Sequence, residues 1–348
     1  YEAGAYPGSP VGGGTLCATG PYNIENLLVD GLDIVCNKQK VQAYRAPGQP
    51  QAAFAVEPVI DELAEKLGLD PLEFRLKNAV TEGDRMPNGV PHRRFGCKEL
   101  IEAMKDHPHY QTPLEGDNRG RGVALGFRWQ GGQTSSCTIN VNKDGTINLI
   151  TGSVDIGGTR TSVAMQAAEI LGIKVEDVSP SVVDTDTVGF TASTGGSRIT
   201  FDTGLAAVKA AEEILKEMCS RAALIWEVQT DDVTCDDGIF VCAKNSEDKL
   251  TFKELASQMI ITGGPVTCSV SANSTGIGPI IAGNIVDVEV DPETGKVDIL
   301  RYTAFLDAGK AIHPSYVEGQ IQGGTVQGIG WALNEEYFYT EDGTMANS

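Results

Sequence analysis

The sequence predicts an α+β protein in which mixed sheets and hairpins pack with helices. Ile139 and Val141 alternate with polar residues before an Asp-Gly turn at 144–145, and a second pair of alternating segments surrounds 291–295. Both patterns indicate β-hairpins. Between them, apolar residues recur at helical spacing at about 160–171 and 205–225. Hairpins with interspersed helices favour mixed sheets over a doubly wound parallel sheet.

Three shorter helices are expected from local signals. Apolar residues recur at i, i+4 and i+8 from Val59 to Leu67, and Pro58 suits the first turn of that helix better than its interior. The segment 70–73 (Asp-Pro-Leu-Glu) matches an N-cap followed by proline, so a second helix should run to about Asn78. Thr251, with a glutamate three residues later, predicts a third helix with a capping box.

The segment from His107 to Gly122 is rich in proline, glycine and charge, which predicts a domain boundary. We expect a first domain at 1–113, a linker at 114–122 and a second domain at 123–348. The His107-x-His109 pair beside a proline is expected to lie in a polar loop.

Composition excludes several classes of function. The net charge of -20 over 348 residues repels nucleic acid and anionic lipid, and no apolar run is long enough to span a membrane. The 8 cysteines are scattered, which predicts reduced thiols in a cytoplasmic protein and no iron-sulfur cluster ligated within the chain. We expect no metal ligated directly by side chains of this chain.

Three glycine-rich segments could hold an anion. They lie at 152–161, 191–198 and 313–324, and each is expected to precede a helix. Helix N-termini expose unpaired N–H groups, and Arg160 and Arg198 could add forked donors. An ordinary capped helix start is the alternative for each segment alone. The first segment lacks the lysine of a phosphate-binding P-loop, which weakens a phosphate-dependent transferase as an interpretation.

A fourth segment places Arg45 before a Pro-Gly turn that leads into the first long helix. An arginine beside a rigid turn suits the anchoring of an anion, and a surface arginine before a turn is the alternative. Gln320 and Gln322, among the glycines of the third segment, could contact an amide-rich heterocycle or belong to a solvated face.

These segments, in this order, resemble the molybdenum-binding subunit of the xanthine dehydrogenase/aldehyde oxidase family. The resemblance is carried by 44–51 (YRAPGQPQ), by 54–78, and then by 152–161, 195–204 and 317–328. It covers nearly the whole chain, and it implies an elongated two-domain, molybdopterin-binding arrangement.

The resemblance implies a cofactor, partners and site residues. The cofactor is molybdopterin with molybdenum, commonly as the cytosine dinucleotide, and electrons leave through 2Fe-2S clusters and FAD on partner subunits. The backbone around Arg45 would lie near the metal, and Gln320 would hydrogen-bond near its oxo group. The full set of expected cofactor contacts is Arg45, Ile156, Gly157, Gly158, Thr159, Gly196, Ser197, Arg198 and Gln320.

The sequence also departs from the family pattern. Gly158 and Pro47 stand where xanthine oxidases proper have a glutamine and a stacking phenylalanine, which weighs against purine specificity. The resemblance places the general-base glutamate beyond the end of this sequence, in the remaining part of the subunit. The expected function is hydroxylation of an aldehyde or an N-heterocycle, xanthine-like or nicotinate-like, with oxygen from water. A non-catalytic scaffold that keeps the fold and binds no cofactor is the alternative.

Overall fold

A computed structural model of the protein describes residues 1–184 and 186–347. The chain divides into two compact units. Unit 1 comprises Tyr1–Trp129, Gly278–Ala311 and Val317–Ser348, and unit 2 comprises Gln130–Ile277 and Ile312–Tyr316. Helices and open sheets occur together in the chain, which confirms the predicted α+β class. The domain boundary predicted at 114–122 stays a prediction.

The helices and strands are numbered in chain order. The helices are α1 (Val11–Cys17), α2 (Gln49–Leu67), α3 (Pro71–Asn78), α4 (Cys97–Asp106), α5 (Pro108–Gln111), α6 (Thr159–Leu171), α7 (Gly204–Trp226), α8 (Phe252–Ser257), α9 (Met259–Thr262) and α10 (Pro314–Leu333). The strands are β1 (Glu2–Gly4), β2 (Ile34–Val35), β3 (Arg119–Gln130), β4 (Thr134–Val141), β5 (Ile147–Thr151), β6 (Val178–Val182), β7 (Val233–Asp236), β8 (Ile239–Cys242), β9 (Asn245–Thr251), β10 (Thr267–Asn273), β11 (Gly278–Val290) and β12 (Val297–Asp307). A π-helical turn, Ile199–Thr203, leads into α7.

Unit 1 is built around a three-stranded sheet in the order β12-β11-β3. Strands β11 and β12 form the predicted second hairpin, which is confirmed. The apolar face of α4 carries Ile101 and Met104 into a buried cluster with Leu125 of β3 and Ile281 and Ile285 of β11. A separate parallel pair, β1 and β2, completes the sheets that the described residues form in this unit.

Unit 2 contains a four-stranded sheet in the order β10-β4-β5-β6, with the predicted first hairpin between β4 and β5. Every second residue of these two strands is buried, as Ile139 and Leu149 illustrate, because one face of the sheet faces the core. Helices α6 and α7 cover that face, and their contact is rich in alanine, which permits close approach of the helix backbones. A second sheet, β7-β8-β9, belongs to the same unit.

Most of the local helix signals are confirmed. The Asp70 carboxylate accepts hydrogen bonds from the N–H groups of Leu72 and Glu73, which begins α3. The predicted capping box of α8 is present at Thr251 and Glu254.

The position of Pro58 is different from the prediction. Helix α2 begins at Gln49, so Pro58 lies in its interior. The turns that precede the proline bury Ala52 and Glu57, and this packing holds the helix through a residue that removes one backbone hydrogen bond.

Two other features bear on the predicted loops and thiols. His107 and His109 do not form a polar loop, because His107 caps α5 and His109 is completely buried. All eight cysteines are free. None of the helices formed by residues 1–184 and 186–347 is both long and apolar enough to cross a membrane.

Candidate functional site

The Arg45 loop of unit 1 has an unusual backbone. Arg45 and Ala46 have φ values of 22° and 56°, in the left-handed region that non-glycine residues seldom adopt. Gly48, with φ 87°, is the N-cap of α2, and a Cβ there would lie 2.3 Å from the Pro10 carbonyl oxygen. The loop is therefore shaped by close backbone approach, as the Pro-Gly turn suggested.

The Arg45 guanidinium contacts α10. Nη2 donates to the Gln320 backbone oxygen at 2.7 Å and to its side-chain Oε1 at 3.2 Å. Tyr44 adds an edge-to-face contact with Trp331, with ring centroids 6.1 Å apart. The structure thus brings together Arg45 and Gln320, two predicted site residues separated by 275 positions.

The third glycine-rich segment does not precede a helix, which corrects the prediction. Helix α10 begins at Pro314, so the glycines at 319, 323, 324, 328 and 330 lie within it. Interior glycine costs about 1 kcal/mol relative to alanine. Gly323 and Gly324 lie directly beside the Arg45 guanidinium, 3.5 Å from where each Cβ would be. A Cβ at either position would make ordinary van der Waals contact with the guanidinium.

The first glycine-rich segment, in unit 2, ends at the N-terminus of α6. Gly157 and Gly158 have φ values of 66° and 83°, and Gly158 is the N-cap. The Asp155 carboxylate accepts hydrogen bonds from the Thr159 hydroxyl and the Arg160 N–H group, so part of this terminus is already satisfied. Arg160 lies 4.0 Å from the same carboxylate. Ile156 and Gly157 are exposed beside these groups.

The second segment lies next to the first. The Val154 N–H group donates to the Thr194 hydroxyl at 3.2 Å, which joins the two loops. Gly196 and Ser197 are exposed and have φ values of 76° and 60°. Their left-handed turn directs the chain into the buried residue Arg198.

Arg198 is committed to the protein interior. Its guanidinium donates to the Ser193 and Ala192 carbonyl oxygens and to the Ser135 hydroxyl, the last at 2.7 Å. It lies 3.7 Å from Asp202, and burial lowers its pKa. The side chain therefore holds the loop in place, and the predicted contacts of this segment that are exposed are Gly196 and Ser197.

The hydroxyl of Thr203 extends this buried polar network. It lies 3.0 Å from the Ser135 hydroxyl and 2.8 Å from that of Ser153. The network is contained in unit 2, and its members flank the π-helical turn, a type of irregularity that often occurs at functional sites. Sequence patterns gave no sign of it, because its members come from separated strands and loops.

The predicted site residues therefore form two groups. Arg45 and Gln320 belong to unit 1, and those at 156–159 and 196–198 belong to unit 2. Exposed N–H, hydroxyl and amide donors predominate at their surfaces, a composition that fits a ligand rich in anionic oxygens. Within residues 1–184 and 186–347, no three His, Cys, Asp or Glu side chains are grouped as metal ligands.

The chain is similar in sequence and in fold to known molybdopterin-binding proteins. Residues 2–79 and 97–348 each match a family described as molybdopterin cofactor-binding domain. The fold is that of the crystal structure of quinoline 2-oxidoreductase from Pseudomonas putida 86, with a TM-score of 0.88 at 23% identity over 99% of this chain and 49% of that one.

Two curated relatives specify the family further. The xanthine dehydrogenase molybdenum-binding subunit of Escherichia coli O157:H7 is 33% identical over 86% of this chain and 42% of its own length. The aldehyde oxidoreductase of Megalodesulfovibrio gigas is 31% identical over 91% of this chain and 35% of its own length. The chain belongs to the molybdopterin-binding family of the xanthine dehydrogenase and aldehyde oxidoreductase molybdenum subunits, and it spans less than half the length of these two relatives.

Proposed function

We propose that the chain forms part of the molybdenum-binding subunit of a molybdenum hydroxylase. The observation that carries the proposal is that the two family-matched regions contain both groups of predicted site residues, each with exposed hydrogen-bond donors. Molybdopterin, in the proposed cytosine dinucleotide form, would supply the redox chemistry when bound. The relatives' names support an aldehyde or an N-heterocycle as substrate class.

The proposed reaction replaces a C–H bond with a C–O bond. The substrate carbon gains an oxygen atom from water, and the substrate and water together release two protons and two electrons. The electrons pass to 2Fe-2S and FAD partner subunits. The general base is supplied by the remaining part of the molybdenum subunit, and the complex works in the cytoplasm on a small-molecule substrate.

The residues of this chain would bind and orient the cofactor. In unit 2, the N–H groups from Gly157 to Thr159 and those of Gly196 and Ser197 would donate to pterin or phosphate oxygens, while the Ile156 N–H group already donates to the Thr159 hydroxyl. The Arg198 guanidinium holds the second loop in its left-handed turn by hydrogen bonds to the Ser193 and Ala192 carbonyl oxygens. In unit 1, Gln320 and the Arg45 backbone would lie near the metal end.

Metal and pterin content of the assembled complex tests the proposal. Ser197→Asp places a carboxylate on the proposed anion-binding loop, and aspartate tolerates the left-handed backbone. We expect molybdenum, measured by mass spectrometry, and pterin, measured by fluorescence after oxidation, to fall together by about tenfold or more, the effect of about 1.4 kcal/mol of repulsion.

The matched control is Ser246→Asp, at an exposed serine of β9 in the same unit, which should retain the metal. A complex that contains no molybdenum in its unchanged form would support the non-catalytic scaffold instead. Full metal content in the Ser197→Asp complex would contradict the assignment of this loop.

A further inference from the structure

The Arg45 guanidinium restricts the orientation of the Gln320 side chain. A guanidinium has only donors, so the part of an amide that faces it must be the oxygen. The distance of 3.2 Å between Arg45 Nη2 and Gln320 Oε1 has this polarity. The amide nitrogen of Gln320 consequently points away from Arg45, with its two N–H groups free to turn toward a ligand.

The loop that carries Arg45 is fixed on α10 at two points. Gln320 and Trp331 are 11 positions apart, close to three helical turns at about 3.6 residues per turn, so they share one face of the helix. Arg45 contacts the first and Tyr44 the second. Gly324 lies between them on this face, and its Cβ position is 3.5 Å from Arg45 Nη2.

The contacts also maintain an unfavourable backbone. Left-handed φ values at Arg45 and Ala46 persist only when the surrounding structure holds them. The hydrogen bond of 2.7 Å from Arg45 Nη2 to the Gln320 backbone oxygen, with the aromatic contact, supplies that restraint. Loss of the guanidinium would release the loop and the Gln320 amide together.

We propose that Arg45 is a positioning residue that fixes the Gln320 amide with its N–H groups directed at an acceptor oxygen of the bound ligand. The inference rests on the proposed function for the identity of that ligand. Arg45 then acts through Gln320, and the group presented to the ligand is a neutral donor rather than the guanidinium itself.

The first test uses the full chain without cofactor. Side-chain amide signals of 15N-glutamine-labelled protein would be recorded, and the Gln320 signal identified by its loss in Gln320→Glu. We expect Arg45→Ala and Arg45→Met to shift this signal to the position of a mobile, solvated glutamine. Arg94→Ala, which removes an arginine side chain that is 80% exposed in the same unit, should leave it unchanged. An unaltered Gln320 signal in both Arg45 variants would overturn the inference.

The second test uses the assembled complex. Gln320→Glu can still accept from Arg45 but presents an oxygen where the amide nitrogen was. We expect its molybdenum and pterin content to fall about tenfold, the scale of one lost hydrogen bond to a charged group, while its melting temperature is maintained. Full content in Gln320→Glu would refute donor presentation. Absence of molybdenum from the unchanged complex would refute the proposed function, whereas the amide signals decide the role of Arg45 independently.

Discussion

At the scale of single residues, the most demanding environment in unit 1 is that of Arg75. Its guanidinium is completely buried and donates to Glu57 Oε2 at 3.0 Å and to Asp61 at 2.6 Å. Glu57 also accepts from the Tyr22 hydroxyl and from the Leu125 N–H group. The network joins α2, α3 and β3, so it fixes the helices that follow the Arg45 loop.

We expect Arg75→Met to lower the free energy of unfolding by about 3–5 kcal/mol, because it leaves a buried carboxylate without its cation. Urea unfolding measures the loss. Lys66→Met is the matched control, because Lys66 forms only an exposed ion pair with Glu62, worth about 0–1 kcal/mol. Equal losses in the two variants would show that the buried network is dispensable.

The buried imidazole of His109 makes the stability of the folded protein depend on pH. Its Nε2 lies 3.1 Å from Asp287 Oδ2, and its Nδ1 lies 2.8 Å from the Thr303 hydroxyl. Burial lowers the pKa of His109, Asp287 partly opposes this, and Arg301 and Arg121 lower it further. The folded protein therefore resists a proton that the unfolded chain accepts near the ordinary pKa of 6.5.

It follows that the stabilising contribution of His109 is complete above pH 6.5 and is lost as the pH falls below it. The hydrogen bonds from Arg121 lower the pKa of Asp287, so the stabilising contribution of that carboxylate is complete above its ordinary value of 3.8 and is lost only as the pH falls below it. Between these limits, His109→Gln should lose less melting temperature on acidification than the unchanged protein. Burial also lowers the pKa of His92. The variant His92→Gln measures how much His92 contributes to the pH dependence of the melting temperature. If the melting temperatures of His109→Gln and of the unchanged protein fall equally as the pH is lowered, the prediction is refuted.

The residue scale also limits what could be predicted of the site. The left-handed turns at 157–158 and 196–197 coincide with glycine-rich strings visible in the sequence. The contact between Arg45 and Gln320 joins positions 275 apart, and local patterns carry no information on such pairs. The only sign in the sequence that another segment contacts α10 was the unusual number of glycines between 319 and 330.

At the scale of elements, the predictions that were confirmed are those that depend on residues close together in the sequence. Both hairpins and the caps of α3 and α8 depend on residues a few positions apart. Pro58 was expected in the first turn of its helix and the glycines of the third segment just before a helix, because intrinsic propensity disfavours both residues in helix interiors. Burial on α2 and the contacts of Arg45 with α10 outweigh that propensity, and neither can be read from a window of sequence.

The N-terminus of α6 provides a test of one such contact. Gly158 has φ 83°, and an added Cβ would lie 2.2 Å from the Tyr316 ring. We expect Gly158→Ala to lower the free energy of unfolding by about 2–4 kcal/mol, from backbone strain and overpacking together. Denaturant unfolding would measure it.

A matched control separates the two causes. Gly68, the C-cap of α2, has φ 65° and open space around its Cβ position, so Gly68→Ala should cost only the strain of about 1–2 kcal/mol. In the Tyr316→Ala background, the cost of Gly158→Ala should decrease to the same value. If the two glycine variants lose equal stability in the unchanged protein, the ring does not restrain this helix start.

At the scale of the whole molecule, the chain has separate apolar cores. The core of unit 1 joins α4 to the β3 and β11 strands, and that of unit 2 joins α6 and α7 to β4 and β5. Ile101 and Ile214 are completely buried, one in each core. Because burial is satisfied inside each unit, each has the means to open by itself, as cooperative parts of proteins commonly do.

We therefore expect Ile101→Ala and Ile214→Ala to act on different parts of the chain. Each should remove about 2–5 kcal/mol through the lost side chain and the cavity left behind. Hydrogen exchange followed by mass spectrometry would locate the effect: amides of α4 and β11 should exchange faster in the first variant, and those of α6 and β4 in the second. Faster exchange throughout both units in either variant would show that the two cores unfold as one. In that case the two groups of predicted site residues, one in each unit, would be stabilised or lost together.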